Sequence, residues 1–218
     1  MRKDKIDIVY QDKDMIIVNK PHNLLTVATQ KEKEKTMYHK VLLFEKQKHK
    51  SNKIFVVHRL DKDTSGLLIF AKSERVKKLL QDNWSSLVKY RGYVALVEGI
   101  PPLKEDVIKS YLKETKTFLT ISSSDKKYGK QAITKYKVIR NKGNKSLVDI
   151  EILTGRKNQI RVHMKDIGTP IIGDKKYGNK SKDKITRMYL HAYKLHFIHP
   201  INKKELSFEL SIPSEFEI

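Results

Sequence analysis

Asp61 stands in the stretch Val-Val-His-Arg-Leu-Asp-Lys-Asp-Thr-Ser-Gly-Leu-Leu-Ile-Phe-Ala-Lys, residues 56–72. An apolar pair enters it, polar residues and a Ser-Gly turn interrupt it, and the apolar run Leu67 to Ala71 leaves it. That pattern reads as strand or loop, turn, strand. It presents one carboxylate at a turn tip between two buried segments, a geometry common in catalysis because a rigid core aims the loop. Asp and Thr-Ser-Gly are also ordinary turn formers whose side chains cap backbone N–H groups. Taken alone, the motif leaves that structural reading open.

Two further stretches carry candidate groups. Tyr90 to Gly99 alternates and is rich in β-branched residues, so it reads as a strand, with Tyr93 falling 32 residues after Asp61. Leu153-Thr154-Gly155-Arg156-Lys157-Asn158-Gln159-Ile160-Arg161-Val162-His163 begins with a Thr-Gly turn and continues as a helix, with Ile160, Met164 and Ile167 facing inward. Without other information, Tyr93 reads first as a half-buried strand tyrosine, and for Arg161 the reading as a surface helix arginine stays open beside a functional one. His191, His196 and His199 lie close together near the C-terminus and invite a metal reading. No Cys and no Asp or Glu at suitable helical spacing accompanies them, so no metal is expected.

The elements that must position these groups are legible from periodicity. Ile6 to Pro21 reads as a hairpin turning at Gln11-Asp12-Lys13-Asp14, and Lys20 within it receives no chemical role. Val41 to Phe44 suggests one modest helix inside the lysine-rich stretch 30–53. Ser73 to Asn83 reads as a capped amphipathic helix with Val76, Leu79 and Leu80 on one face. Glu105 to Ser122 suggests short strands. Ala132 to Ile139 and Ser146 to Thr154 read as two strands joined by the basic turn Arg140 to Lys145, and Leu206 to Ile212 as a closing strand.

With 218 residues the chain fits one ordinary domain. Lys and Arg number 46 against 25 acids, a formal charge of +21, which points to a polyanion and first to nucleic acid. Lys far outnumbers Arg and grips phosphate as a point charge, so the charge suggests affinity without specificity. The absence of Cys excludes disulfides, zinc–thiolate sites and thiol nucleophiles. No apolar run approaches the roughly 20 residues of a membrane span and the start lacks an apolar signal core, so a cytoplasmic protein is expected. No phosphate-binding glycine motif occurs.

His58-Arg59-Leu60-Asp61 with Thr64-Ser65-Gly66, then Tyr-x-Ala-x-Val-x-Gly from Tyr93, then the Gly155 to His163 segment, resemble in order the three signatures of the RluA-type pseudouridine synthases. The opening hairpin, Gly168-Thr169-Pro170 with Gly173-Asp174, and the Leu190-His191-Ala192 and His199-Pro200 pairing extend the likeness from about Ile6 to Ile212. The resemblance implies an α+β catalytic fold, a long, largely antiparallel sheet with flanking helices and loops and a cleft across its middle. It implies a single catalytic domain over residues 1–218, with no S4-like RNA-binding domain because the first family strand begins within ten residues of Met1. It implies a monomer that converts uridine to pseudouridine in structured RNA, rRNA or tRNA, without cofactor. Asp61 matches the catalytic aspartate, Tyr93 the tyrosine that stacks on the target base, and Arg161 the arginine that pairs with the aspartate. Arg59 matches the residue that fills the space left by the flipped base, and His58, Arg156 and Asn158 are assigned to the RNA. Many relatives have histidine where this chain has Asn158. The other class of function is a noncatalytic RNA-binding or ribosome-assembly factor using the same cleft.

Overall fold

The computed structural model of the protein describes residues 6–179 and 185–218. In chain order its strands are β1 (Ile8–Gln11), β2 (Met15–Lys20), β3 (Phe55–Val56), β4 (Ser65–Ala71), β5 (Val88–Glu98), β6 (Glu105–Glu114), β7 (Thr120–Ser123), β8 (Lys130–Lys142), β9 (Lys145–Ile152), β10 (Leu190–Ile198) and β11 (Glu205–Glu209). Its helices are α1 (Met37–Lys48), α2 (Glu74–Asp82), the single turn α3 (Trp84–Leu87) and α4 (Gln159–Asp166). The expected mixed α+β class holds, with largely antiparallel strands and few helices. Two compact units divide the chain: Met1–Lys89 with Ala192–Leu210, and Tyr90–His191 with Ser211–Ile218.

In the first unit, β1 and β2 form the expected hairpin, and Asp12 Oδ1 turns it by accepting the N–H groups of Asp14 and Met15 at 2.8 Å each. β2 pairs with β4 from Met15–Ala71 to Lys20–Gly66. Every residue of β4 is buried, which is why the segment reads as an unbroken apolar run. β10 adds to β4 and carries β11, whose ladder stops at Glu209 rather than Ile212, with Leu210 N making one further bond to Tyr193 O at 2.8 Å. Ile17, Leu67, Ile69, Leu80, Leu195 and Phe197 make the centre of this unit's core.

Both expected helices of this unit are present and capped. Thr36 accepts from His39 N at 3.0 Å at the start of α1, and Ser73 from Val76 N at 3.2 Å at the start of α2. Glu45 of α1 is buried, and its carboxylate accepts from Gln11 and Lys48 at 2.6 and 2.8 Å with Lys72 at 3.4 Å. Burial would raise this carboxyl, but the two lysines and the amide outweigh it and hold it below the usual range.

The second unit orders its strands β5-β9-β8-β6-β7, each pair antiparallel. The turn between β8 and β9 is tighter than the expected six-residue basic loop. Lys142 pairs with Lys145, leaving Gly143-Asn144 as a two-residue hairpin turn in which Gly143 has φ +56°. A bulge between Val138 and Arg140 leaves Ile139 about half exposed, which is why the apolar alternation of β8 stops there although the backbone ladder continues.

α4 is buried on more than its apolar side. Ile160 and Met164 face inward as expected and Ile167 forms the C-cap, but Arg161 and His163 are buried too. His163 Nε2 meets Ser110 Oγ and Nδ1 meets Thr134 Oγ1, each at 2.8 Å, pinning the helix to β6 and β8. Burial pulls the His163 pKa down to about 4, and burial, aided by Arg187, does the same to His191. Both rings are neutral when folded and protonate near 6.5 when unfolded. Their stability contribution is therefore complete above pH 6.5 and is lost as pH falls towards 4, on the order of 3 kcal/mol for each ring. Urea melts across that range should report about two protons taken up on unfolding, and His163→Gln should remove one of them; a flat profile between pH 5 and 6.5 would refute the neutral pair.

Candidate active site

Asp61 lies half-buried in the loop between β3 and β4, where the backbone on both sides of it is tied down. The Thr26 hydroxyl donates to Leu60 O at 2.8 Å and accepts from Leu60 N at 3.2 Å. Leu24 N donates to Lys62 O at 3.1 Å, and Thr64 N to Asp61 O at 3.2 Å. The expected Ser-Gly turn is displaced: the turn falls at Lys62-Asp63, and Ser65 and Gly66 open β4, where Gly66 has φ +116° and a Cβ would lie 2.1 Å from Ala192 O. The loop that ends in this turn and strand start is thus a fixed mount for Asp61.

Lys20 does part of this work, and its residue type gave no sign of it. It is 0% exposed, and its ammonium donates to the carbonyls of Leu24, Pro21 and Lys62 at 2.7, 2.9 and 3.1 Å. The end of β2 and the residue after Asp61 are thereby clamped to one charge. Lys20→Met keeps the stem but leaves three carbonyls without this donor, so a stability loss of about 2 kcal/mol is expected together with slowed turnover. Denaturant melts and single-turnover assays on the same preparation check it; an unchanged melt would show that the clamp contributes nothing.

His58 is half-buried, with Nε2 accepting from Ile69 N at 3.2 Å and its ring 5.1 Å from that of Trp84. Arg59 beside it is exposed. Asp12, Asp14 and His199 bring three possible metal ligands within 4.8 Å of one another, a grouping across 187 residues that spacing did not reveal. Two of the three make hydrogen bonds within the protein. Asp12 Oδ2 accepts from Tyr10 and from His199 Nε2, while His199 Nδ1 accepts from the N–H groups of Ile201 and Asn202.

In the second unit Tyr93 lies on β5, 8% exposed, opposite Ile150 of β9. Arg161 projects from α4 and is 8% exposed. Its Nε and Nη2 donate to the two oxygens of Asp174 at 2.7 Å each, its Nη1 donates to Asn158 Oδ1 at 3.0 Å, and its plane lies over the Tyr177 ring at 5.1 Å. Burial pushes the Asp174 carboxyl up, but the guanidinium together with the N–H groups of Lys176 and Tyr177 holds it below the ordinary range. Asp174 is a residue the sequence placed in the family pattern without a task.

Asn158 has φ +55°, a conformation that asparagine tolerates better than most residues, and it is 7% exposed. Its amide donates to Tyr177 Oη at 3.1 Å while its oxygen receives Arg161, so its bonds lie within the protein. Gln159 locks the preceding turn. Its oxygen accepts from Thr154 Oγ1 and Arg156 N, and its amide donates to Ile133 O and Thr134 Oγ1. Arg156 is exposed and donates from Nε to Gln131 O at 2.8 Å. Arg91, also beside Gly155, has its pKa lowered first by burial and then by Arg156.

Taken unit by unit, the arrangement supplies an aimed carboxylate on one loop, and a buried aromatic and a rigidly held guanidinium on another set of elements. Residues 14–166 match the family model described as RNA pseudouridylate synthase. An uncharacterised RNA pseudouridine synthase of Mycoplasma genitalium is 36% identical over 97% of this chain and 68% of its own length. The ribosomal large subunit pseudouridine synthase D of Zymomonas mobilis is 30% identical over 98% of this chain and 71% of its own length. The solved structure of human RNA pseudouridylate synthase domain containing 4 matches with a TM-score of 0.77 at 22% identity, over 96% of this chain and 90% of that one, which supports the fold. Among the described residues, no helix is long and apolar enough to cross a membrane. The resemblance read from the three motifs is borne out: the chain belongs to the RNA pseudouridylate synthase family, whose members form pseudouridine in RNA.

Proposed function

We propose that this protein isomerises particular uridines of structured RNA, ribosomal or transfer, to pseudouridine, with Asp61 as the catalytic carboxylate. The uridine must leave its stack, because the glycosidic carbon is out of reach inside a helix. Asp61 then either attacks C1′, displacing uracil from N1 and being displaced in turn by C5, or removes the C2′ proton as the N1–C1′ bond breaks to a glycal and returns it as C5 adds to C1′; in both routes uracil turns, C5 loses its proton and N1 ends protonated. Tyr93 stacks on the loosened ring and assists removal of the C5 proton, and Arg161 favours the ionised aspartate, in the roles of their family counterparts. Arg59 and Arg156, both exposed, meet the RNA, and His58 and Asn158 shape that surface from within. The chain is read as a single catalytic domain that acts as a cytoplasmic monomer without metal or cofactor.

The observation that carries this reading is the mount of Asp61, a half-buried acid whose loop is held by a buried lysine, a threonine and a glycine that admits no side chain. A residue serving only its own turn would need none of these. Incubation with rRNA and tRNA transcripts, followed by carbodiimide treatment and primer extension, should reveal new stops at defined uridines. RNA bound without any new stop would refute the catalytic reading and match the noncatalytic one.

A further inference from the structure

The hairpin between β6 and β7 holds Phe118 at its tip, 72% exposed, the most open large apolar side chain among the described residues. Its φ is +60°, in the left-handed region that glycine and asparagine occupy with least cost. The conformation is locked: Thr115 N donates to Leu119 O at 2.7 Å, Phe118 N to Thr115 O at 3.0 Å, and Leu119 N to Thr115 Oγ1 at 3.2 Å. A phenylalanine here fills no core and suits the turn less well than glycine would. Such a residue points to a task outside the fold.

Its surroundings indicate which task. The Lys157 ammonium, which also pairs with Glu114, lies 5.8 Å from the Phe118 ring centroid. Lys176 donates to the Phe118 carbonyl, and Lys116 is exposed in the same turn. An accessible aromatic face among ammonium groups suits unpaired RNA, since the ring takes the face of a base while the charges meet adjacent phosphates. The tip is also tied to the third motif. Thr120 N donates to Tyr177 Oη at 2.8 Å, and that tyrosine binds Asn158 and lies against Arg161. A base stacked on Phe118 would therefore be held on a rigid mount.

We propose that Phe118 is an RNA-stacking residue, which receives an unpaired base flanking the modified uridine while Lys116, Lys157 and Lys176 engage neighbouring phosphates. The assignment rests on RNA as the partner and adds a residue outside the three family motifs. The test uses the full chain and a twelve-nucleotide single-stranded oligouridylate carrying one 2-aminopurine as a fluorescent base. Phe118→Ala should bind it about tenfold more weakly and lose the fluorescence quench, whereas Phe118→Trp should retain both. Phe118→Gly should bind as weakly as Phe118→Ala yet melt about 2 °C higher, because relief of the backbone outweighs the added chain freedom. The slope of log affinity against log salt should stay unchanged in these variants, since stacking releases no counterions, and should fall by about 0.7 in Lys116→Ala.

Equal affinity of wild type and Phe118→Ala overturns the proposal, as does a Phe118→Ala effect confined to self-association in sedimentation. Pseudouridine assays on the same preparations separate this from the catalytic reading. Phe118-dependent RNA binding with no pseudouridine formed would sink the catalysis and leave the stacking residue standing. Pseudouridine formation with binding indifferent to Phe118 would sink the stacking residue alone.

Discussion

Asp61→Asn should abolish pseudouridine formation, by at least about 10⁴-fold, while leaving RNA affinity within about twofold of wild type. The amide has the shape of the carboxylate but neither its charge nor its basicity, so it can serve as neither nucleophile at C1′ nor base at C2′. The mount is expected to survive the change, because these ties run through the backbone of Leu60, Asp61 and Lys62 and through Thr26 and Lys20. Melting curves should therefore coincide. Single-turnover assays read by carbodiimide-dependent primer-extension stops, beside filter binding of the same RNA, decide the matter. Turnover within tenfold of wild type would remove Asp61 from the chemistry, and weakened binding with a lowered melting temperature would return it to the role of turn former.

Asp174→Ala carries the second large effect, on stability and activity together. The carboxylate takes two 2.7 Å bonds from the buried Arg161 fork and also accepts the N–H groups of Lys176 and Tyr177 at 2.8 and 3.0 Å. Its removal takes from a guanidinium that is 8% exposed its two shortest hydrogen bonds and its ion pair with Asp174, and breaking one side of a buried pair costs about 3–5 kcal/mol. That is a large part of the roughly 5–15 kcal/mol by which a domain is stable. In Asp174→Ala/Arg161→Met the buried charge is gone, so part of the lost stability should return while turnover stays low. Urea denaturation of the two single variants and the double variant measures this coupling. Strict additivity would show that the fork contributes no energy. The pair also sets an acid limit. Asp174 has its folded pKa depressed, so its contribution is complete above about pH 4, its ordinary carboxylate range, and is lost as pH falls through the folded value.

Much of the scaffold was legible because it is written in local periodicity. The hairpin of β1 and β2, the buried run of β4, the existence of β5 and the cap at Ser73 each follow from residues within one element. Boundaries were less legible where backbone pairing continues after side-chain patterning stops. β8 extends past Ile139 to Lys142 because a ladder needs only N–H and C=O groups, and the facing pair Lys142 and Lys145 at its end is exposed to water, which screens the two charges. The candidate site divides in the same way. Asp61, Tyr93 and Arg161 stand out by motif, while Lys20, Asp174 and Gln159 were silent because their tasks lie in partners that no spacing rule names.

By itself, the sequence determined the element types, the family and the chemical groups on offer, since those depend on residue identity and on short-range order along the chain. Only tertiary structure decided that Lys20 is buried against three carbonyls, that Arg161 is held by Asp174, that His199 meets Asp12 across 187 residues, and that a Cβ at Gly66 would strike Ala192 O. A lysine or a histidine has the same donors wherever it stands. Whether those donors are spent on water, on backbone or on a carboxylate is set by strand register and burial, which distant segments impose together.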